Sequence, residues 1–447
     1  MSDYPKTPQA AHLTALVELI SSSVNEVISV YSAAGRDIPS LDSLEEGFLE
    51  TPATTPPGLR HARQIIEAAC AQLCVTIAQP GDCIVNKAFA YTESACLQVA
   101  ANAKISDFLA DKPDGLHTEE LAKLSGVDAG KLGQVLRFLA TKHVYREVRP
   151  NVYANNRLSV KLMSSDPVSC NVGVCTGELF QAATAAWDTL SDKEYGPSYL
   201  PTKTAFRKVH GATFFEYYET HVRLNLPRFS GAMVGWGNIT DRGLLPQMYE
   251  WQRLEPGATI CDVGGNNGHA TLDLVKEYPM ISVIVQDLES LRPRWSDLWA
   301  RELPDAIQDG RTSFVPIDFF RDIPVRNCDV YYIRHILHDW PDASCVQILR
   351  NVKEAMQPSS RVLIHEYVLQ QTTRDDVTVE NDSAPEPLLP NYGNGRIRRY
   401  YQDITMLLGL NSKERTLQEF IDIGAQAGLK FVKLWDGGQT ALVEFSC

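Results

Sequence analysis

The sequence of 447 residues offers no paired cysteines, no excess of positive charge and no leader-like N-terminus. Its ten cysteines scatter from Cys70 to Cys447 with no CxxC pair and no zinc-type spacing to histidine. That excludes a disulfide framework or a structural zinc site, and the thiols read as buried and free. Lysine and arginine number 42 against 55 acidic residues, a net charge of −13. Phosphate backbones need a basic surface, so nucleic acid is excluded as main partner. The opening MSDYPKTPQA lacks a basic segment followed by an apolar core, and no apolar run reads as long enough to span a membrane. These absences predict a cytoplasmic protein. Hydrophobic content of 44% and charged content of 22% match an ordinary globular chain. Its length exceeds one core and predicts two domains plus extensions.

Residues 10–35 read as a helix, with Leu13, Leu16, Val17 and Ile20 on one face. A Pro-, Ser- and Thr-rich stretch to residue 60 reads as a linker or loosely held loop. Helical patterns run over 61–78 and 88–109. Then come a short helix at 118–124, a turn at Ser125–Asp128, a second helix at 131–141, and strands near 144–148 and 152–154. Helix, turn, helix and hairpin outline a winged-helix-like module. Its second helix offers only Lys131, Gln134 and Arg137 as polar contacts, which favours a structural or dimerising role over DNA binding. Residues 166–250 read as helical and rich in aromatics, which serve as core or as pocket lining.

From residue 258 onward strands alternate with helices. Strands are expected at 259–263, 282–286, 313–317, 329–333 and 361–368, with a closing hairpin at 431–435 and 440–445. The pattern predicts an α/β fold, a Rossmann-like doubly wound and mainly parallel sheet, behind an N-terminal, mostly helical, winged-helix-like domain. The expected domains are 1–60 (helix and linker), 61–165 (winged-helix-like dimerisation domain) and 166–447 (catalytic domain). The last divides into a helical lead-in 166–255 and a sheet core 256–447, with an inserted loop at 370–398.

The first strand–loop–helix unit reads Cys261-Asp262-Val263-Gly264-Gly265-Asn266-Asn267-Gly268-His269. Glycines let a backbone turn sharply and approach a ligand closely, which alone fits several cofactors or a structural turn. The context narrows the choice. Asp287 ends the second strand, where a carboxylate accepts from ribose hydroxyls. Asp318 and Phe319 end the third, where they accept from and cover an adenine. Asp262 suits a ligand carrying sulfonium and ammonium charge and is awkward beside a pyrophosphate. The set points to S-adenosylmethionine, with Gly264, Gly265, Gly268 and Asp262 in its loop.

The segment Arg334-His335-Ile336-Leu337-His338-Asp339-Trp340-Pro341-Asp342 leaves a strand and enters a helix. Ligands in such folds lie at the carboxyl ends of strands, so these groups face the site. His338 is the candidate general base, with an ordinary pKa near ~6.5 against ~10 for a phenol. Glu366 and Glu414 are both candidates for the carboxylate that orients its ring.

Together the runs DVGGNNGH, QDL, DFF, RHILHDWPD, HEY and SKERT, in that order, resemble the plant caffeate-type O-methyltransferases. The resemblance is closer still to fungal relatives that methylate polyketides and other secondary metabolites, and it covers roughly residues 60–447. It implies that Gly264, Gly265, Asp287, Asp318, Phe319 and Arg334 bind S-adenosylmethionine. It implies that His338 is the base flanked by Glu366 and Glu414, and that Met233 and Met406 sit near the acceptor beside Asp339 and Trp340. It also implies a homodimer, no metal, and a small hydroxylated acceptor. The sequence departs from the family at Asn266, in place of a glycine. Asparagine tolerates left-handed backbone angles, so binding is expected to survive.

Two rivals are open at this level. One is a pericyclase or dehydratase that keeps the cofactor for its charge on the same scaffold. The other is a winged-helix protein that binds a metabolite as a sensor.

Overall fold

The computed structural model describes residues 7–220, 226–374 and 383–447. The chain divides into two compact units. One spans 1–197, 202–239 and 384–388, and the other 198–201, 240–383 and 389–447. The helical run 166–239, apart from residues 198–201, therefore belongs to the N-terminal unit, where the sequence reading assigns it to the catalytic domain. That reading followed the change from aromatic-rich helix to alternating strands, whereas contacts follow what the helices bury.

The N-terminal unit opens with α1 (Pro8–Ala33), which lies along α2 (Pro57–Ile77). By length and composition α1 is apolar enough to cross a membrane, which corrects the expectation that no segment qualifies. Its apolar residues are interrupted by Ser, Thr and Glu18 and Glu26, so a search for unbroken runs misses it. The stretch between the two helices is not loose. Leu49 is buried with Tyr31 and Leu59, Thr55 donates to the Leu49 carbonyl at 3.0 Å, and Glu50 pairs with Arg157. α3 (Pro80–Ala88) begins on a proline that suits a first helical turn. α4 (Tyr91–Asn102) and α5 (Ile105–Phe108) follow, where the sequence reading has one helix over 88–109. The break lies at Lys104, in left-handed backbone with φ +54°.

The winged-helix-like module is present as expected. β1 (Leu116–His117) precedes α6 (Thr118–Ser125) and α7 (Ala129–Thr141), then β2 (Arg146–Arg149) and β3 (Val152–Ala154). β3 pairs antiparallel with both β1 and β2. Leu121, Leu132, Leu136, Leu139, Tyr145 and Tyr153 form its core. Gly115 admits no side chain, since a Cβ there would lie 2.6 Å from the Tyr153 carbonyl oxygen. Among the aromatics that follow, Phe206, Phe214, Tyr217, Tyr218 and Phe229 pack on one another. Phe206 and Tyr218 are buried and the other three half-buried around them, while Trp187 and Tyr199 are exposed.

The second unit is built on seven strands in the order β11-β12-β8-β7-β4-β5-β6. β4 (Thr259–Val263), β5 (Ser282–Asp287), β6 (Thr312–Pro316), β7 (Val330–Arg334) and β8 (Arg361–Glu366) are parallel. The short β9 (Val368–Leu369) and β10 (Arg415–Thr416) pair parallel to each other apart from that sheet. β11 (Lys430–Asp436) and β12 (Ala441–Ser446) close the chain as an antiparallel hairpin on the β8 edge.

Alternation along the strands sends side chains to both faces. Cys261, Val263, Tyr331, Ile333 and Ile364 pack under helices Asp342–Ala355 and Leu417–Gln426. Ile260, Val283, Val285, Tyr332 and Leu363 pack on the other face, under His269–Glu277 and Arg292–Glu302. The sequence reading does not include the helix Arg292–Glu302. It also does not include Ile397–Leu410, which begins inside the segment read as an inserted loop. Tyr392 and Arg396 of that segment are buried, and its residues 375–382 lie outside the described ones.

Candidate active site

Strand order reverses at β4, with β5 on one side and β7 on the other. In open α/β sheets, ligands bind at such a switch point, beyond the carboxyl ends of the strands. The loop leaving β4 is made for close approach. Gly264 has φ +73°, and a Cβ there would lie 2.7 Å from Ile336 Cδ1. At Gly265 a Cβ would meet the Asp262 carboxylate at 2.5 Å. Gly268, with φ +76°, caps the following helix under the Trp299 indole. Asn266 adopts φ +54°, the left-handed conformation expected for it. Its N–H donates to Asp287 Oδ2 at 2.8 Å, which ties the ends of β4 and β5 together. Asp262 is buried and accepts from Thr271 Oγ1 at 2.8 Å, and burial lifts its pKa to about 7. Asp318 accepts from the Phe320 N–H and stays partly exposed. Phe319 lies edge-on to Phe320, which in turn lies edge-on to Trp340.

The chain leaves β7 through His335, in left-handed backbone with φ +50°. That conformation is costly for a residue with a Cβ and persists where its surroundings hold it. It turns the strand into a short 3-10 segment, Leu337–Asp339, that carries His338. Glu366, at the end of β8, accepts from the backbone N–H groups of Ile336, Leu337 and His338 at 3.2, 2.6 and 3.3 Å. Arg415 binds the far side, donating to the carbonyls of Leu337 and Trp340 at 2.7 and 2.8 Å and to Asp342. The β9–β10 pair sets Glu414 beside this segment. His338 Nδ1 donates to Glu414 Oε1 at 2.8 Å, and its Nε2 lies 3.5 Å from Asp339 Oδ1. The two glutamates thus divide the task. Glu414 orients the ring, and Glu366 fixes the backbone beneath it.

Burial opposes a charged ring at His338, but Glu414, Asp339 and Glu366 outweigh it and lift the pKa to about 10. The free site therefore holds the proton at neutral pH, unlike a histidine at its ordinary value. Desolvation raises Glu366 to about 7 and Asp339 to about 6.

Arg334 does not present an open guanidinium. Its Nε and Nη2 donate to the two oxygens of Asp241 at 2.9 and 2.7 Å, and Nη1 lies 3.3 Å from His269 Nε2. Asp241 also faces His335 and His365, each at 3.7 Å. Burial would raise Asp241, yet Arg334 and its neighbours hold it well below the usual carboxylate range. His365 completes the cluster through Tyr332 at 2.6 Å and Thr440 at 2.8 Å. Burial drives His335 to about 3 and His365 to about 4, so both rings are neutral.

The structure gathers Asp262, Gly264, Gly265, Gly268, Asp287, Asp318, Phe319, Arg334, His338, Asp339, Trp340, Glu366, Met406 and Glu414 into the second unit. Met406 is buried on the helix Ile397–Leu410. Met233 is not among them; it belongs to the helix Leu226–Thr240 of the first unit, with 43% of its surface exposed. Sequence reasoning missed Asp241, Thr271, His335 and Arg415. Arg415 adjoins Glu414 in the SKERT run and was within reach. Asp241 follows a helix in Thr-Asp-Arg, which carries no signal.

Residues 198–430 match the O-methyltransferase domain, and residues 85–165 match the O-methyltransferase dimerisation domain. The O-methyltransferase gedA of Aspergillus terreus is 32% identical over 99% of this chain and 98% of its own. The sterigmatocystin 8-O-methyltransferase of Aspergillus parasiticus is 28% identical over 85% of each chain. Among solved structures, LepI in complex with SAM superposes with a TM-score of 0.70 at 20% identity, over 96% of this chain and 99% of that one. That likeness is one of fold.

Proposed function

The chain belongs to the S-adenosylmethionine-dependent O-methyltransferases, and from that membership we propose that His338 takes the proton of an acceptor hydroxyl. The observation that carries this reading is the 2.8 Å bond from His338 Nδ1 to Glu414, which leaves Nε2 as the proton acceptor. The residues present fit the cofactor. The glycine loop has no room for side chains, Asp262 is a buried carboxylate suited to a cationic group, Asp287 ends β5, and Asp318 lies two residues past the end of the adjacent β6. S-adenosylmethionine, when bound, supplies an electrophilic methyl group on a sulfonium.

The chain's own residues then do the following. Glu366 holds the His338 backbone in place, and Glu414 fixes the tautomer and stabilises the imidazolium. His338 must first release the proton that its carboxylates favour, and it then accepts the acceptor's. A phenol's pKa near ~10 is close to that of His338, so the transfer is nearly balanced. An aliphatic hydroxyl is far less acidic. This match, with the sterigmatocystin-methylating relative, supports a hydroxylated aromatic or polyketide-derived acceptor. Holding the acceptor oxygen in position would contribute several kcal/mol, on the order of what positioning achieves elsewhere. Met406, Asp339 and Trp340 are proposed to line the acceptor side. Arg334 contributes through its pairing with Asp241.

The reading places the enzyme in the cytoplasm as a homodimer formed through residues 61–165, with residues 256–447 as the catalytic core. The acidic chain supports the expectation of no nucleic-acid partner. Incubation with the cofactor and a panel of hydroxylated aromatics tests the function. Release of S-adenosylhomocysteine with gain of one methyl on oxygen is expected. Turnover of an acceptor without S-adenosylhomocysteine would instead favour the pericyclase reading.

A further inference from the structure

Three carboxylates share one imidazole at the base. Glu414 Oε1 lies 2.8 Å from His338 Nδ1, and Asp339 Oδ1 lies 3.5 Å from Nε2. Glu366 accepts the backbone N–H groups of the same turn with Oε1 alone. The second oxygens of Glu366 and Glu414 are buried and have no hydrogen-bond partner. Buried charge in that state is costly, so the pocket favours a positive group among these oxygens. The neighbouring cations are engaged elsewhere. Arg415 acts on Glu366 but gives its N–H groups to Asp342 and to the carbonyls of Leu337 and Trp340. Arg334 is held by Asp241. His335, stacked 5.2 Å from the His338 ring, is neutral, and burial keeps the Tyr367 phenol beyond it neutral as well. In the free enzyme the His338 imidazolium is therefore the counter-charge of this pocket. A protonated ring, however, cannot take a proton from an acceptor.

We propose that His338 gives up its Nε2 proton to solvent when the cofactor's sulfonium enters the pocket, and keeps it when the uncharged S-adenosylhomocysteine does. The sulfonium then replaces the imidazolium as counter-charge to the three carboxylates. Nδ1 keeps its own proton on Glu414. The way out passes Asp339, whose side chain is 19% exposed against 0% for that of Glu414. The charge also balances over a turnover. As the S–CH₃ and O–H bonds break and the O–CH₃ and N–H bonds form, sulfur loses one positive charge and the ring gains it. The pocket holds one positive charge throughout, and the base is armed only beside a cofactor that has a methyl group to give. This inference rests on His338 being the base of the proposed reaction.

A like charge one acceptor oxygen away lowers the proton affinity of a histidine by about 100-fold, or about 2 on the pH scale. The ring, at about 10 in the free enzyme, is then expected to titrate near ~8. The test counts protons released on binding, by calorimetry of the full-length protein in buffers of different ionisation enthalpy, without acceptor. At about pH 9 wild type is expected to release about 0.8 proton more with S-adenosylmethionine than with S-adenosylhomocysteine, and near pH 7 about 0.1. The same difference in His338→Gln is subtracted, which cancels protons exchanged by the ligands' own amines. Carbon-13 NMR of the histidine Cε1 atoms reads the wild-type ring directly, so the test does not depend on that variant folding. One resonance is expected to titrate near 10 and to move down by about 2 with S-adenosylmethionine only. Equal proton counts and an unmoved resonance, in an enzyme that methylates an acceptor, overturn this proposal and leave His338 as the base. Methyl transfer at the wild-type rate by His338→Gln overturns both.

Discussion

His338 Nδ1 and Glu414 Oε1 stand 2.8 Å apart, although the two residues are 76 positions apart in the chain. The bond fixes which ring nitrogen faces the acceptor. Replacing Glu414 with glutamine keeps the shape and removes the charge that stabilises the imidazolium. The expected result is a loss in kcat of about 10²-fold or more with little change in cofactor affinity. Single-turnover kinetics and titration with S-adenosylhomocysteine measure the two quantities. His338→Ala is expected to abolish transfer while S-adenosylhomocysteine still binds; full activity in that variant would remove His338 as the base.

The carboxylates around His338 set a pH dependence with a definite sign. The ring must be neutral to act, and it titrates at about 10 in the free enzyme. The kcat/KM for a phenolic acceptor is therefore expected to rise with pH across the neutral and mildly alkaline range. In Glu414→Gln one source of the upward shift is gone, so the inflection is expected to move to lower pH even as the plateau falls. An unchanged inflection would show that another group controls the profile.

Asp241 is predicted to matter for stability before it matters for chemistry. Asp241→Asn leaves the buried Arg334 guanidinium without its counter-charge, at a cost of about 3–5 kcal/mol. Urea denaturation should register the loss. Because the folded-state pKa of Asp241 lies below its unfolded value, its contribution is present above about pH 4. It is lost as the pH falls through the lower, folded value. The wild-type and variant stability curves should therefore converge in acid.

The glycine loop offers a test that separates binding from folding. Gly264→Ala and Gly268→Ala each put a Cβ on left-handed backbone and into neighbouring atoms at about 2.7 Å. A destabilisation of about 1–3 kcal/mol is expected from either, by thermal melting. Gly268 lies under Trp299 and Gly264 faces Ile336 and Phe319, so only Gly264→Ala is expected to weaken S-adenosylhomocysteine beyond that, by calorimetry.

Much of this site was legible in the sequence because its parts are local. Gly264, Gly265 and Asn266 sit in one turn with the backbone angles that their side chains permit. Asp287 ends β5 and Asp318 follows β6 by two residues, and hydrophobic alternation locates both strands. Glu366 and Glu414 could be named as partners of His338, but not told apart, because their roles depend on the β9–β10 pairing and on three backbone N–H groups that periodicity does not encode. Asp241 was out of reach for the same reason: only the fold brings it to Arg334. The helix Arg292–Glu302 escaped notice because it is rich in arginine and tryptophan, and its single buried residue, Trp299, gives no stripe to read.

The parallel pairing of Val368–Leu369 with Arg415–Thr416 acts as a clasp on the chain between them. Fastening Arg415 to Val368 and Thr416 to Leu369 puts Glu414 in register with the end of β8, so its 2.8 Å separation from His338 is set by the two fastened ends of that stretch.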